Sequence, residues 1–144
     1  MTGSVAPPSE RQRLAVYGID KTKNEILLCR ASAQTEVPGW WWLPGGGVDF
    51  GESPTEALVR EFKEETGLSV TIGPLLGVLS DVRTRTRADE AIHTVRLIYA
   101  ISSHSGTVMA EVDGTTDHAE WHGHDQLREL SVAPYVHRAL ELGR

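Results

Sequence analysis

The chain has 144 residues, 40% hydrophobic and 24% charged, with a formal net charge of −6. That length suits one compact domain with a single core, and the acidic balance argues against nonspecific nucleic-acid binding, which needs a basic footprint. The lone cysteine excludes an internal disulfide, and neither a signal-peptide region nor an 18-residue apolar run is present, so a cytoplasmic protein without a membrane partner is expected.

Residues 1–11 are rich in proline and serine, lack periodicity, and read as a flexible tail ahead of a single domain over 12–144. Strands are expected over 13–19 and 25–31 around a turn at 20–24, with Cys29 packed in the second as a small hydrophobe. A loop over 34–39 leads to a short strand at 41–43. Extended side chains alternate faces, so Trp41 and Leu43 share one side while Trp40 and Trp42 share the other. Trp41 is read as core; Trp40 and Trp42 are candidates to stack on a base. Gly45 and Gly46 then open a glycine-rich loop suited to phosphate.

Ser53-Pro54-Thr55-Glu56 is a strong helix start: a capping serine, a proline where its missing donor costs nothing, and a glutamate completing a capping box. Gly67 supplies a left-handed end, so the helix is expected over about 54–66. Strands follow at 75–82 and 93–101, with a turn at 102–106 and a short strand at 119–121. A helical turn at 125–130 and a helix at 134–142 close the chain. Strands and helices alternating around one sheet give an α/β or α+β class.

The chemistry concentrates on the first helix. At about 100° per residue, Glu61, Glu64 and Glu65 share an arc of roughly 100° beside the apolar stripe of Leu58, Phe62 and Val59. Like charges at this spacing oppose each other by about 0.2–0.5 kcal/mol per pair on a solvated helix. A hard divalent cation removes that cost, and Mg²⁺ characteristically bridges carboxylates to substrate phosphates.

The stretch 46–68, GGVDFGESPTEALVREFKEETGL, reads Gly, five residues, Glu, seven residues, then Arg-Glu-apolar-x-Glu-Glu-x-Gly-apolar. It resembles the signature box of the Nudix hydrolases at every defining position, and residues 39–46 resemble the strand that leads into that box. The resemblance implies an α/β/α sandwich with a mixed sheet, holding Mg²⁺ or Mn²⁺ and hydrolysing nucleoside diphosphates linked to another moiety. Carried over by position, Glu61, Glu64 and Glu65 would ligate metal together with the Gly45 carbonyl. Arg60 would orient the glutamates and Glu52 would act through ordered water, giving Glu52, Arg60, Glu64 and Glu65 as the catalytic set. A further acidic ligand outside the box is common in that family; Glu90, Glu111, Asp117 and Glu120 all remain open. The family's substrate signatures do not settle the substrate, since Val82 and Arg83 stand where a proline marks ADP-ribose hydrolases. Nucleoside triphosphates and nucleoside-diphosphate sugars are the favoured classes.

Arg83, Arg85 and Arg87 form a basic cluster on the expected connection between two strands, as a phosphate grip or as solvated surface. His118, His122 and His124 read as surface histidines. Two other functions are weighed on the same scaffold. A catalytically inactive nucleotide sensor would not need the complete Glu52, Arg60, Glu61, Glu64 and Glu65 set. A diphosphate isomerase would need a cysteine placed to protonate carbon, for which Cys29 is poorly suited. The partner is thus a small-molecule nucleotide, and a homodimer is left open.

Overall fold

The computed structural model describes residues 9–85 and 88–143. Two apolar clusters organise it, and the central strands divide them by alternation. Strand β1 (Ser9–Ile19) sends Ala15, Tyr17 and Ile19 to one side and Val16 to the other. Strand β2 (Glu25–Ala31) does the same with Ile26 and Leu28 against Leu27. Such strands are apolar at successive positions because both faces are covered, as in sheets sandwiched between helices.

Chain order continues through β3 (Trp41–Trp42), β4 (Gly45–Gly47), helix α1 (Pro54–Thr66), β5 (Ser69–Arg85), β6 (Glu90–Ser105) and β7 (Thr116–Gly123). A 3₁₀ turn (His124–Arg128) and helix α2 (Pro134–Leu142) follow. One sheet has the order β4-β1-β6-β5 and the other β3-β2-β7. In the first, β1 runs parallel to β6 while β4 and β5 pair antiparallel, so the sheet is mixed. Helix α1 packs Ala57, Leu58 and Phe62 against Val16 and Leu27, and α2 packs Tyr135, Val136 and Ala139 against the opposite cluster. The result is the expected α/β/α sandwich.

Helix α1 has the expected bounds and caps. Ser53 Oγ accepts from the Glu56 amide at 3.2 Å, Pro54 is the first helical residue, and Gly67 ends the helix at φ 79°. Ser53→Ala is expected to cost about 1 kcal/mol, a fall of about 2–4 °C in melting temperature, read by thermal denaturation. The apolar stripe is narrower than read: Leu58 and Phe62 are fully buried, whereas Val59 is 40% exposed.

Other boundaries differ from expectation. Strand β1 begins at Ser9, so residues 9–11 are strand and not tail. These three residues are themselves polar and exposed although they pair with Glu90, Ala91 and Ile92, so they leave no apolar period to read. Residues 1–8 lie outside the described residues. The glycines at 45–47 are a strand paired with Ala15, Val16 and Tyr17, although glycine has no strand preference. Residues 102–105, read as a turn, extend β6 opposite Ser69, Val70 and Thr71. No helix among the described residues is long and apolar enough to cross a membrane.

Candidate active site

The site is assembled where α1 crosses β4. A Cβ on Gly46 would lie 2.8 Å from the Glu61 carboxylate, so only glycine lets that carboxylate rest on the strand. At Gly45, with φ 149°, a Cβ would fall 2.1 Å from the Val16 carbonyl oxygen. The glycines that look like a phosphate loop in the sequence therefore form a thin strand that brings helix and sheet together.

Arg60 holds the acidic groups. Its Nε and Nη2 donate to Glu52 Oε2 and Oε1 at 2.8 and 2.9 Å, a bidentate pair. Nη1 donates to Glu61 Oε1 at 2.9 Å and reaches Glu64 Oε2 at 3.5 Å, while Nη2 also donates to the Gly47 carbonyl at 3.1 Å. Glu52 further accepts from the Asp49 amide at 3.1 Å. Hydrogen bonds from Arg60 and from that amide lower the Glu52 pKa to about 2, and the hydrogen bonds to Glu52 and then Glu61 raise that of Arg60. Glu52 is a fixed anion across the neutral range. Two of these partners, Asp49 and the Gly47 carbonyl, escaped the sequence reading. A guanidinium's five donors call for more acceptors than Glu52 and the helix carboxylates supply.

The helix trio does not act as one group. Glu65 is 3% exposed, and its Oε2 is buried without a hydrogen-bond partner. Burial, then its contact with Glu61, then the Glu111 charge push the Glu65 carboxyl well above the usual range. Glu61 is also raised, chiefly by burial, although Glu65 and Arg60 oppose the shift. The contact between the two carboxyls favours the neutral form of Glu65 and the charged form of Glu61, so they are electrostatically linked. Glu64 stands apart, its side chain 48% exposed and turned to Arg60. Cys29 is fully buried as expected, and its thiol, pushed up by burial, hydrogen-bonds with Glu65.

Of the four acids outside the box, Glu111 adds a like charge that raises Glu65, and it accepts from Thr116 Oγ1 at 3.0 Å. Glu90 faces Arg11 at 3.2 Å, Asp117 faces Arg30 at 2.8 Å, and Glu120 lies beside His118 and His122. The donor set around Glu65 is all oxygen apart from the protonated thiol, and Glu65 carries an orphaned buried oxygen. Both observations fit a hard divalent cation. The described residues contain no complete cluster of three acidic, histidine or cysteine ligands. Substrate phosphates and water would have to complete the coordination, as is usual for Mg²⁺.

The remaining candidates are dispersed. Arg83 and Arg85 are residues of β5, not of a loop, opposite Ile92 and Glu90. Arg85 is held by Glu36 at 3.2 Å and Glu90 at 3.7 Å. Through β6, Arg85 aligns with Ser9, seven residues along β1 from Val16 and so roughly 23 Å from the glycine strand. Arg87 lies outside the described residues. Trp41 is buried, Trp42 packs partly on the core, and Trp40 is 37% exposed. His122 is not a surface residue: it is 7% exposed, packed edge-on to Trp41 with centroids 4.4 Å apart. His118 and His122 alternate with Glu120 on one face of β7, and the Trp41 ring covers His122.

The fold and this arrangement suit a hydrolase of phosphoanhydrides. The NUDIX domain profile matches residues 10–141. The chain belongs to the Nudix family and is a Nudix-type pyrophosphohydrolase acting on acid anhydrides. Among relatives, it is 38% identical over 94 residues to the nucleoside triphosphatase NudI of Enterobacter sp. (strain 638), covering 63% of this chain and 67% of that protein. NudI of Escherichia coli O139:H28 is 37% identical over the same shares of each chain. Among solved structures, a MutT Nudix hydrolase from Burkholderia pseudomallei superposes with a TM-score of 0.78 at 26% identity, covering 92% of this chain and 98% of that one. The Nudix domain of Shewanella oneidensis NrtR, solved with ADP ribose, shares the fold with a TM-score of 0.74 at 19% identity, over 92% and 86% of the two chains.

Proposed function

We propose that this chain is a divalent-cation-dependent nucleoside triphosphate pyrophosphohydrolase, converting a nucleoside triphosphate and water to the monophosphate and pyrophosphate. The observation that carries the metal dependence is the Glu61–Glu65 pair, packed on a glycine strand with one Glu65 oxygen buried and unpartnered. The choice of triphosphates over nucleotide sugars rests on kinship with proteins named nucleoside triphosphatases.

Glu61 and Glu65 would hold Mg²⁺, or Mn²⁺, with Gly45 offering its carbonyl, Glu64 beside them and Glu111 as the acidic group from outside the box. The cation supplies charge neutralisation for the phosphates and acidity for a bound water. Arg60 fixes Glu61 from the side and keeps Glu52 ionised, so the site's geometry is set before substrate arrives. Glu64, half exposed and turned to Arg60, is left accessible to take a proton from water. Trp40 offers an exposed ring for stacking on a base, whereas most of Trp42 is taken up by the core. Arg83 and Arg85 are assigned to a distal surface role.

The test is a panel of ribo- and deoxyribonucleoside triphosphates, dinucleotides and nucleotide sugars, assayed with and without Mg²⁺. We expect pyrophosphate release from triphosphates only when Mg²⁺ is present. Tight nucleotide binding without cleavage across the panel would return the chain to the sensor reading, and preferred cleavage of nucleotide sugars would overturn the substrate class.

A further inference from the structure

The described residues include five half-buried arginines: Arg13, Arg30, Arg60, Arg85 and Arg96. Four of them face a carboxylate. Arg30 pairs with Asp117, Arg60 with Glu52 and Glu61, Arg85 with Glu36 and Glu90, and Arg96 with Asp81. Among the described residues Arg13 pairs with none, and its hydrogen bond there runs from Nη1 to Tyr17 Oη at 3.5 Å, a weak contact. Withdrawing a guanidinium from water without a paired anion is unfavourable, so such a group calls for a negative partner that the described residues do not place in contact with it.

Its position says which partner. Arg13 shares a face of β1 with Tyr17, and its Nη2 lies 3.7 Å from where a Cβ on Gly47 would stand. Gly47 follows Gly46, on which the Glu61 carboxylate rests, so acid and base approach adjacent glycines of the same short edge strand. Burial works against the Arg13 charge, while Tyr17, Tyr135 and the Glu61 carboxylate favour it. The Tyr17 ring is fixed in turn: it packs on Tyr135 with centroids 4.9 Å apart, and Arg96 lies 4.4 Å over the Tyr135 ring. Arg13 is thus a held cation at the rim of the acidic site, with its fork of donors uncommitted.

We propose that Arg13 binds the phosphate chain of the substrate, gripping oxygens on the side of β4 opposite the Glu61–Glu65 pair. This rests on the reading of the site as a phosphoanhydride hydrolase, but it assigns a phosphate ligand lying 39 residues before Glu52 and outside the signature box. It also explains why the basic cluster at the end of β5 is not needed for that task.

The experiment uses the full chain with Mg²⁺ and reads two quantities for Arg13→Gln, or for Arg13→Met should the glutamine variant not fold. One is KM and kcat for whichever nucleoside triphosphate the wild type cleaves fastest; the other is calorimetric affinity for inorganic tripolyphosphate, which has no base or sugar. We expect both KM and the tripolyphosphate Kd to rise roughly tenfold or more, with kcat changing less and Arg13→Lys recovering part of the loss. A folded neutral variant with unchanged tripolyphosphate affinity, and only a lowered melting temperature, would overturn the assignment and leave Arg13 as packing for Tyr17. Should the wild type cleave no nucleotide at all, the hydrolase reading fails, while the tripolyphosphate comparison still decides Arg13.

Discussion

Glu65→Gln is expected to lower turnover by about two orders of magnitude or more while leaving the metal-free protein equally or more stable. The two halves have one cause. Glu65 is a nearly fully buried carboxyl facing Glu61, so its ionised form is disfavoured by burial and by a like charge. The amide keeps the shape, removes the charge and can donate to Glu61. The same change deletes the buried anion that would hold the cation, and loss of a preorganised electrostatic group typically costs about 10²–10³ in turnover. Steady-state kinetics and thermal denaturation in chelator check both halves. Wild-type turnover in the variant would remove Glu65 from the site.

Saturating Mg²⁺ is expected to raise the melting temperature, and to do so more as pH rises. A ligand that binds only the native state stabilises it by about 2.7 kcal/mol at a hundredfold excess over Kd. The pH dependence follows from the raised Glu65 and Glu61 carboxyls. Between the ordinary glutamate value and their raised native values, the folded chain binds more protons than the unfolded one. Metal-free stability therefore falls as pH rises through that window. Cation binding needs those protons removed, so its contribution grows over the same window and offsets the loss. Glu52 has the opposite sign. Its depressed pKa of about 2 contributes stability that is present above the ordinary glutamate value and is lost progressively as pH falls from that value through about 2. Melting curves in MgCl₂ and in NaCl of equal ionic strength, from pH 5 to about 8, test this. Equal shifts in the two salts, in wild type and in a Glu61→Gln, Glu65→Gln double variant alike, would sink the metal-site reading.

The helix carrying the box was legible to the residue, because its signals are local: Ser53 caps, Pro54 starts and Gly67 stops. The fold class was legible for a related reason, since the continuous burial of β1 and β2, covered on both faces, appears in the sequence as short apolar runs. What was not legible depends on partners distant in the chain. The glycine strand at 45–47 exists only because Ala15, Val16 and Tyr17 pair with it, and no glycine run announces that. Helical periodicity placed Glu64 with Glu61 and Glu65, yet Arg60 draws it outward while Cys29, 36 residues earlier, meets Glu65 inside. The basic cluster looked like a loop because strand pairing with Glu90 and Ile92 lies beyond any local signal. Arg13 gave no sign either, since its want of a carboxylate among the described residues is visible only once the other half-buried arginines are seen to have theirs.

The three residues Ala15, Val16 and Tyr17 are hydrogen-bonded on one edge to β4 and on the other to β6, with a helix over each face. Amides enclosed on every side in this way exchange with solvent only when the whole domain opens, not through local fraying. The glycine strand on which Glu61 rests is zipped to this segment, so the acidic pair is anchored to the slowest-exchanging part of the molecule. Motions that admit substrate or release product are therefore expected in the side chains and loops around the pair, with its seat staying in place.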